Sequence, residues 1–159
     1  MLDHEYQRMY EVEDQYWWFV SRRRLVLELM ADRIPTPSEG RGRPVILDVG
    51  CGTGANAEAM VGLGRVIGAD LSPLALARCQ RRSLHELVQA KAESVPLKSG
   101  SVDWIVATDI LEHLDDDRAA LREFRRLLRP GGRALITVPA YRSLWSEHDE
   151  ALMHRRRYV

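Results

Sequence analysis

A continuously apolar run that ends in a glycine-rich turn constrains the fold of this chain most. The run is PVILDVG, residues 44–50, and Gly50, Gly52 and Gly54 fall within five positions. A strand that is apolar at successive positions is typical of a parallel sheet covered on both faces. Three glycines in five residues predict either a ligand close to the backbone at the carboxyl end of the strand or a tight turn that binds no ligand.

Strand-like and helix-like segments alternate after this turn. Strands are predicted at 65–70, 85–91, 101–109 and 133–140, and helices at 55–61, 73–84, 115–130 and 143–158. Such alternation predicts a doubly wound α/β fold, in which a mostly parallel sheet has helices on both faces. Ligands of such folds bind at the carboxyl ends of the strands, where Gly50, Asp70 and Asp109 are expected to meet.

The first third of the chain has a different pattern. Residues 4–33 have apolar positions at helical spacing and predict two helices that meet near Asp14 and Gln15. Residues 35–44 hold three prolines and two glycines, which predicts a linker. We therefore divide the chain into an N-terminal helical lid, 1–34, and a main α/β domain, 44–159.

Composition narrows the function classes. Apolar residues make up 45% and charged residues 29%, and the formal net charge is zero. A neutral chain lacks the basic excess of a nucleic-acid-binding domain. No apolar stretch approaches the roughly 20 residues of a membrane helix, and the polar N-terminus is unlike a secretory signal. We expect a cytoplasmic protein without nucleic-acid or membrane partners.

The charges around the glycine turn favour a ligand without phosphate. The pattern G-x-G-x-G differs from the dinucleotide fingerprint, and no lysine follows as in a phosphate-binding loop. Asp48 precedes the turn and favours a cationic group. Asp70 ends the second strand, where an acidic side chain can accept both ribose hydroxyls. Ser72 is the better helix cap, which leaves Asp70 free for an adenosine-type ligand.

Four motifs in order carry a family resemblance: VILDVGCGTG, GADLSP, AESVPLKSGSVDWIVATDILEHL and LLRPGGRALITVP. The chain resembles class I S-adenosylmethionine-dependent methyltransferases of the type 11 group over about residues 44–139. The resemblance implies a Rossmann-like sheet with five strands here in the order 3-2-1-4-5. It also implies S-adenosyl-L-methionine as cofactor and methyl transfer to a small-molecule acceptor.

The resemblance also implies which residues hold the cofactor. The glycines would bring the protein backbone close to the cofactor, and Asp48 would lie near its amino group. Asp70 would bind the ribose, and Leu71 would pack on the adenine. The implied set is Asp48, Gly50, Cys51, Gly52, Gly54, Asp70, Leu71, Ala92, Glu93, Thr108 and Asp109. One position departs from the family, since Lys91 stands where an acidic residue commonly accepts from the adenine amino group.

His113, in DILEHL, is the candidate general base because it follows the strand end that faces the methyl group. The alternative is that Glu112 and His113 only cap or pack against the next helix. Tyr16, Trp17 and Trp18 either cover the acceptor pocket and the sulfonium, or pack as a helix face on the sheet.

Two charged segments have an alternative role at the acceptor site: Arg22–Arg24 would attract an anionic acceptor, and the resemblance implies His148 or Arg155–Arg157 at the border of that site. The run Arg22–Arg24 is expected to be the solvated face of a helix. His148 and His154 do not share a face of the predicted last helix, so no metal site is expected there. Glu147, Glu150 and His154 would share one face of that helix and would form ordinary side-chain pairs there.

The family fold has two more strands after the fifth, whereas this sequence stops at Val159. The fifth strand is then expected to be an exposed edge that can pair with a second copy as a homodimer. Reduced activity is expected from such a fragment. A non-catalytic cofactor-binding or protein-interaction domain is the alternative function, and a nicotinamide oxidoreductase is disfavoured by the glycine spacing.

Overall fold

A computed structural model describes residues 3–34 and 42–159 and shows one five-stranded sheet in the order β3-β2-β1-β4-β5. All neighbouring strands are parallel. The strands are β1 Val45–Val49, β2 Arg65–Asp70, β3 Leu87–Gln89, β4 Val102–Thr108 and β5 Leu128–Thr137. The predicted fold class and strand order are confirmed.

Six helices accompany the sheet in the described residues. They are α1 Asp3–Val12, α2 Trp17–Ala31, α3 Ala55–Met60, α4 Pro73–Arg81, α5 Asp117–Leu127 and α6 Glu147–Ala151, with 3-10 turns at Leu111–His113 and Arg142–Leu144. The N-terminal region is indeed two helices, with the break at 13–16. Most of the predicted linker, residues 35–41, lies outside the described residues.

The central strand β1 distributes its side chains to two cores. Ile46 lies in a cluster with Val26 and Met30 of α2, whereas Leu47 lies in a cluster with Phe124 of α5. Successive strand residues face opposite sides of a sheet, so each face is covered by its own helix layer. Helix α2 is therefore part of the core, and the division of the chain into a lid and a main domain stays a prediction.

The junction after α5 differs from the prediction. The helix ends at Leu127, and strand β5 begins at Leu128, so Pro130 and the two glycines that follow it lie inside the strand. The pairing of β4 with β5 shifts register between Val102 and Trp104, and this irregularity accommodates the turn-forming residues.

The predicted last helix, 143–158, is wrong in extent. Helix α6 covers only Glu147–Ala151, and Met153 has a left-handed φ of 57°. The chain then turns back, and Tyr158 pairs with Ala140 beside the end of β5. The carboxylate of Asp149 is the physical reason, because it holds side chains from the returning segment, as described below.

Strand β5 forms one edge of the described sheet, and Arg133 and Ala134 on it are exposed. Across the part of the chain that the structure describes, no helix combines the length and apolarity that a membrane crossing requires.

Candidate active site

The glycine turn after β1 has a backbone that other residues tolerate poorly. Gly50, Gly52 and Gly54 have positive φ values of 68°, 54° and 90°. A Cβ atom on Gly50 would clash with Cδ1 of Ile110, and one on Gly54 would lie 2.9 Å from Sγ of Cys79. The glycines are therefore needed for both the left-handed conformation and the close approach of neighbouring segments.

The amides of this turn are used inside the protein. The amides of Gly50 and Cys51 both donate to the carbonyl of Ala69, at 2.8 and 3.1 Å. The amide of Gly52 donates to Oδ2 of Asp70 at 2.9 Å. A phosphate cradle needs converging free amides. The hydrogen bonds thus agree with the sequence argument that the turn does not bind phosphate.

Asp48 is a buried carboxylate with an unmatched charge. Its side chain is 1% exposed, and Oδ2 has no hydrogen-bond partner among the described residues. Burial and the negative charge of Asp70 raise the pKa of Asp48, Arg22 lowers it, and the resulting pKa is about 7. A cationic ligand beside Oδ2 would stabilise the ionised form.

Asp70 does not have the free carboxylate that the sequence predicts. Ser72 does cap α4, with Oγ accepting from the amide of Ala75 at 3.4 Å. However, Oδ1 of Asp70 accepts from the amide of Ser72 at 2.8 Å, and Oδ2 accepts from Gly52. Burial raises the pKa of Asp70, and these backbone hydrogen bonds lower it. Each oxygen keeps a second lone pair for a ligand hydroxyl.

The residues predicted around the adenine differ in accessibility. Leu71 is 59% exposed next to Asp70, although it is apolar. Glu93 is half-buried, and Lys91 is exposed and bridges to Ser94. Ala92 is 6% exposed and belongs to the core cluster, so its side chain packs inside the protein.

Thr108 and Asp109 end β4 next to the glycine turn. Oγ1 of Thr108 accepts from Nδ2 of Asn56 at 3.0 Å. Asp109 has a φ of 52°, and its Oδ1 accepts from Oγ1 of Thr137 at 2.8 Å. Its Oδ2 accepts from Arg22 of α2. The carboxylate is thereby fixed between β5 and the N-terminal helices.

Arg22 and Arg23 contradict the expectation that Arg22–Arg24 form a solvated face. Arg22 is paired with Asp109, and its side chain is only 20% exposed. Arg23 is 16% exposed, pairs with Asp14 and donates to the carbonyl of Glu13 at 3.0 Å. Arg24 alone is exposed. Helical periodicity could not reveal this, because the partner acids lie on other elements or at the helix break.

A second ionic cluster connects the break between α1 and α2 to the glycine turn, and nothing in the sequence pattern indicated it. Arg82, 8% exposed, pairs with Glu13, Asp14 and Glu58. Glu13 accepts from the hydroxyl of Thr53, and Nε of Arg82 donates to the Thr53 carbonyl at 3.2 Å. The N-terminal helix pair is thus anchored on the turn.

The segment that follows β4 places two further titratable groups beside Asp109. Glu112 is fully buried, and both carboxylate oxygens lack a hydrogen-bond partner among the described residues. Burial and the charge of Asp109 raise the pKa of Glu112, its own backbone amide and Arg22 lower it, and the resulting pKa is about 7. Burial and the nearby His154 lower the pKa of His113. His113 is therefore neutral at pH 7.

The aromatic residues at the start of α2 do not pack on the sheet. Tyr16, Trp17 and Trp18 are 51%, 64% and 51% exposed. The rings of Trp17 and Trp18 meet edge-on at 5.8 Å between centroids. Trp18 lies one helical turn before Arg22 and shares its side of the helix. Of the two alternatives for these aromatics, packing on the sheet is therefore wrong.

Residues 47–136 match the protein family described as methyltransferase domain. The chain belongs to this family. The predicted class of S-adenosylmethionine-dependent methyltransferases is thereby confirmed.

Named relatives agree with this assignment. The methyltransferase domain is 34% identical to demethylmenaquinone methyltransferase of Chlorobaculum tepidum, over 79% of the chain and 50% of that protein. It is 33% identical to a probable S-adenosylmethionine-dependent methyltransferase of Mycolicibacterium smegmatis, over 80% of this chain and 47% of that protein. The crystal structure of YcgJ from Bacillus subtilis superposes with a TM-score of 0.66 at 27% identity, covering 84% of this chain and 62% of that one.

The methyltransferase domain spans about half the length of these two curated relatives. The shared fold brings the glycine turn, Asp48 and Asp70 together, and Arg22 connects them to Asp109. Their roles toward a ligand rest on the chemistry of the site and are argued next.

Proposed function

We propose that this domain binds S-adenosyl-L-methionine and transfers its methyl group to a small-molecule acceptor. One observation carries the proposal: the buried carboxylate of Asp48, whose Oδ2 is unpartnered, directly precedes the glycine turn and acts electrostatically on the same site as Asp70. An unpaired buried charge is costly unless a ligand of opposite charge completes it. The amino group and the sulfonium of this cofactor supply such charge without phosphate.

The charges of the site fit the other parts of the cofactor. Asp70 has lone pairs left for the two ribose hydroxyls, and exposed Leu71 next to it offers an apolar face to the adenine. Lys91 can only donate hydrogen bonds, so we assign recognition of the adenine amino group to Glu93 and the backbone around Ala92.

Arg22 is a residue that we add to the predicted set. Its Nε is buried without a partner among the described residues, although a terminal nitrogen pairs with Asp109. A guanidinium suits a carboxylate, and the methionine portion of the cofactor carries one. We assign Arg22 to that carboxylate, with Asp109 and Thr108 holding the neighbouring wall.

The bound cofactor supplies an activated methyl group on a sulfonium, and the domain supplies orientation and a site without water. His113, half-buried beyond Asp109, is neutral at pH 7 and is our candidate for accepting a proton from the acceptor. Its reach depends on where the acceptor lies.

We propose a ring-bearing acceptor such as a quinol. The exposed rings of Tyr16, Trp17 and Trp18 form an apolar surface one helical turn from Arg22. Aromatic faces bind planar rings by stacking. The name of the Chlorobaculum relative gives demethylmenaquinone as its acceptor, which supports a quinol for this domain.

Binding of S-adenosylhomocysteine by calorimetry tests the cofactor assignment. We expect Asp70→Ala to abolish binding, while Asp115→Ala, an exposed acid after His113, leaves it unchanged. Because Asp70 also holds the turn, circular dichroism and thermal unfolding of the variant must show a folded protein. Unchanged affinity in a folded Asp70→Ala protein would remove the ribose assignment.

Transfer of labelled methyl from S-adenosylmethionine to a panel of quinols tests catalysis. Tight cofactor binding without transfer to any acceptor class would favour the alternative of a non-catalytic cofactor-binding or interaction domain. Homodimerisation through the exposed edge of β5 stays a prediction, which sedimentation of the domain would test. The cytoplasmic location and the lack of nucleic-acid partners also stay predictions.

A further inference from the structure

Three potential metal ligands converge in the segments that follow β4 and α6. Glu112 and His113 lie in the 3-10 turn after β4, and His154 lies in the segment that returns after α6. One ligand atom from each residue lies within 4.8 Å of the other two. Sequence analysis did not predict this cluster, because His154 was expected on a helix with Glu150.

The returning segment is fixed on this turn by backbone contacts. The amide of Arg155 donates to the carbonyl of Glu112 at 2.8 Å, and its Nε donates to the carbonyl of His113 at 3.0 Å. The rings of His113 and His154 meet edge-on with centroids 4.8 Å apart. The three side chains therefore belong to one packed unit.

The buried carboxylate of Glu112 is the feature that indicates a ligand. Its side chain is 0% exposed, and neither carboxylate oxygen has a hydrogen-bond partner in the described part of the chain. Buried carboxylates are normally paired, or they coordinate metal ions. Arg22, whose positive charge acts on Glu112, is itself paired with Asp109.

His154 is oriented as a metal ligand commonly is. Its Nδ1 lies 2.9 Å from Oδ1 of the fully buried Asp149. Asp149 is held by two hydrogen bonds of 2.7 Å from Arg157, so it is ionised and accepts the proton of Nδ1. This leaves the lone pair on Nε2. A carboxylate behind a ligating imidazole fixes its tautomer and orientation in many metal sites.

We propose that Glu112, His113 and His154 bind a divalent first-row transition-metal cation. Two imidazoles and one carboxylate are a donor set that suits zinc, iron or manganese. Bonds of about 2.1 Å place tetrahedral ligand atoms about 3.4 Å apart, so each pair of ligand atoms approaches by at most about 1.4 Å on binding. Three protein ligands leave a coordination position open.

The open position identifies a class of acceptor, and this step rests on the proposed methyl transfer. A cation near Asp109 takes an oxygen of a hydroxylated acceptor and lowers the pKa of that hydroxyl, which releases its proton to solvent. The oxygen then forms a bond to the methyl carbon as the bond between that carbon and the sulfonium sulfur breaks, and S-adenosylhomocysteine is the leaving group. The lone pair of His113 that binds the cation cannot also accept a proton. The cation therefore replaces His113 as the group that activates the acceptor.

Cobalt(II) and zinc(II) titrations of the chelator-treated full chain test the site directly. We expect one cation per chain and a visible cobalt absorption band. Affinity should fall at least about tenfold in Glu112→Gln and His154→Ala, and about 10- to 100-fold in Asp149→Asn, a positioning residue. The matched control is His148→Ala, since His148 is exposed on α6. Glu112→Gln removes only an unpartnered charge, so its fold should persist.

Absence of binding to the native chain, or affinity unchanged by both ligand variants, would overturn the metal site. Binding of S-adenosylhomocysteine to the metal-free chain is measured separately, so failure of the cofactor proposal is distinguishable. With quinol as acceptor, a chelator should abolish methyl transfer without reducing cofactor binding. Transfer that persists in excess chelator would refute the role of the cation and restore His113 as the base.

Discussion

Removing the charge of Asp48 should have opposite effects on the stability of the fold and on its affinity for the cofactor. Burial raises the pKa of Asp48 from its ordinary 3.8 to about 7, and the side chain is 1% exposed. The folded state therefore binds this proton more tightly than the unfolded state does. Stability falls as the pH rises from about 4 to about 7, because the unfolded chain loses the proton first.

The pKa difference sets the magnitude. At about 1.4 kcal/mol per pKa unit, ionised Asp48 costs the unliganded fold about 4 kcal/mol above pH 7. Asp48→Asn keeps the shape and removes the charge. We expect the variant to be more stable than the native chain by about 4 kcal/mol at pH 8 and by about 1.5 kcal/mol at pH 5.

Urea unfolding of both proteins at pH 5 and pH 8 measures this difference, and the subtraction cancels the contribution of Glu112. In the same variant, we expect affinity for S-adenosylhomocysteine to fall at least about tenfold, since the ammonium group loses its counter-charge. A variant that is less stable at pH 8, or a gain that does not change with pH, would refute the unpaired-charge reasoning.

Two substitutions test how the turn is built. Arg82→Met leaves buried Glu13 unpaired and should lower the free energy of unfolding by about 3 kcal/mol, whereas exposed Arg81→Met should change little in urea unfolding. Gly54→Ala forces a Cβ to 2.9 Å from Cys79 Sγ at a φ of 90° and should cost about 3 kcal/mol in the same measurement. Gly62→Ala meets open space and should be neutral. Equal stability within either pair would contradict the packing described.

The parallel α/β sheet was predictable because apolar runs, the glycine turn and helix caps are local signals, whereas the strand order followed from the family resemblance. The position of Asp70 at the end of β2 followed from the same pattern. Its hydrogen bonds to the turn did not, because the glycine amide that reaches it belongs to a loop 18 residues earlier. The prediction that Ser72 caps α4 was right, but the carboxylate of Asp70 still accepts hydrogen bonds from the backbone.

The ionic contacts that complete the site could not be predicted from one sequence. Arg22 and Asp109 are 87 residues apart, and Glu13 and Arg82 are 69 apart. The prediction of one helix over residues 143–158 was wrong for a related reason. Helical spacing at 143–158 competes with Asp149, which binds Arg157 and His154 and turns the chain back after five helical residues.

A calorimetric titration of the native domain with S-adenosylhomocysteine, repeated with NAD and ATP, tests the central claim most directly. The glycine turn has no free cradle for phosphate, and Asp48 requires a cation. We expect one molecule of S-adenosylhomocysteine to bind per chain, with no measurable binding of either phosphorylated nucleotide. Tighter binding of NAD, or no binding of S-adenosylhomocysteine by a folded domain, would contradict the assignment of this site.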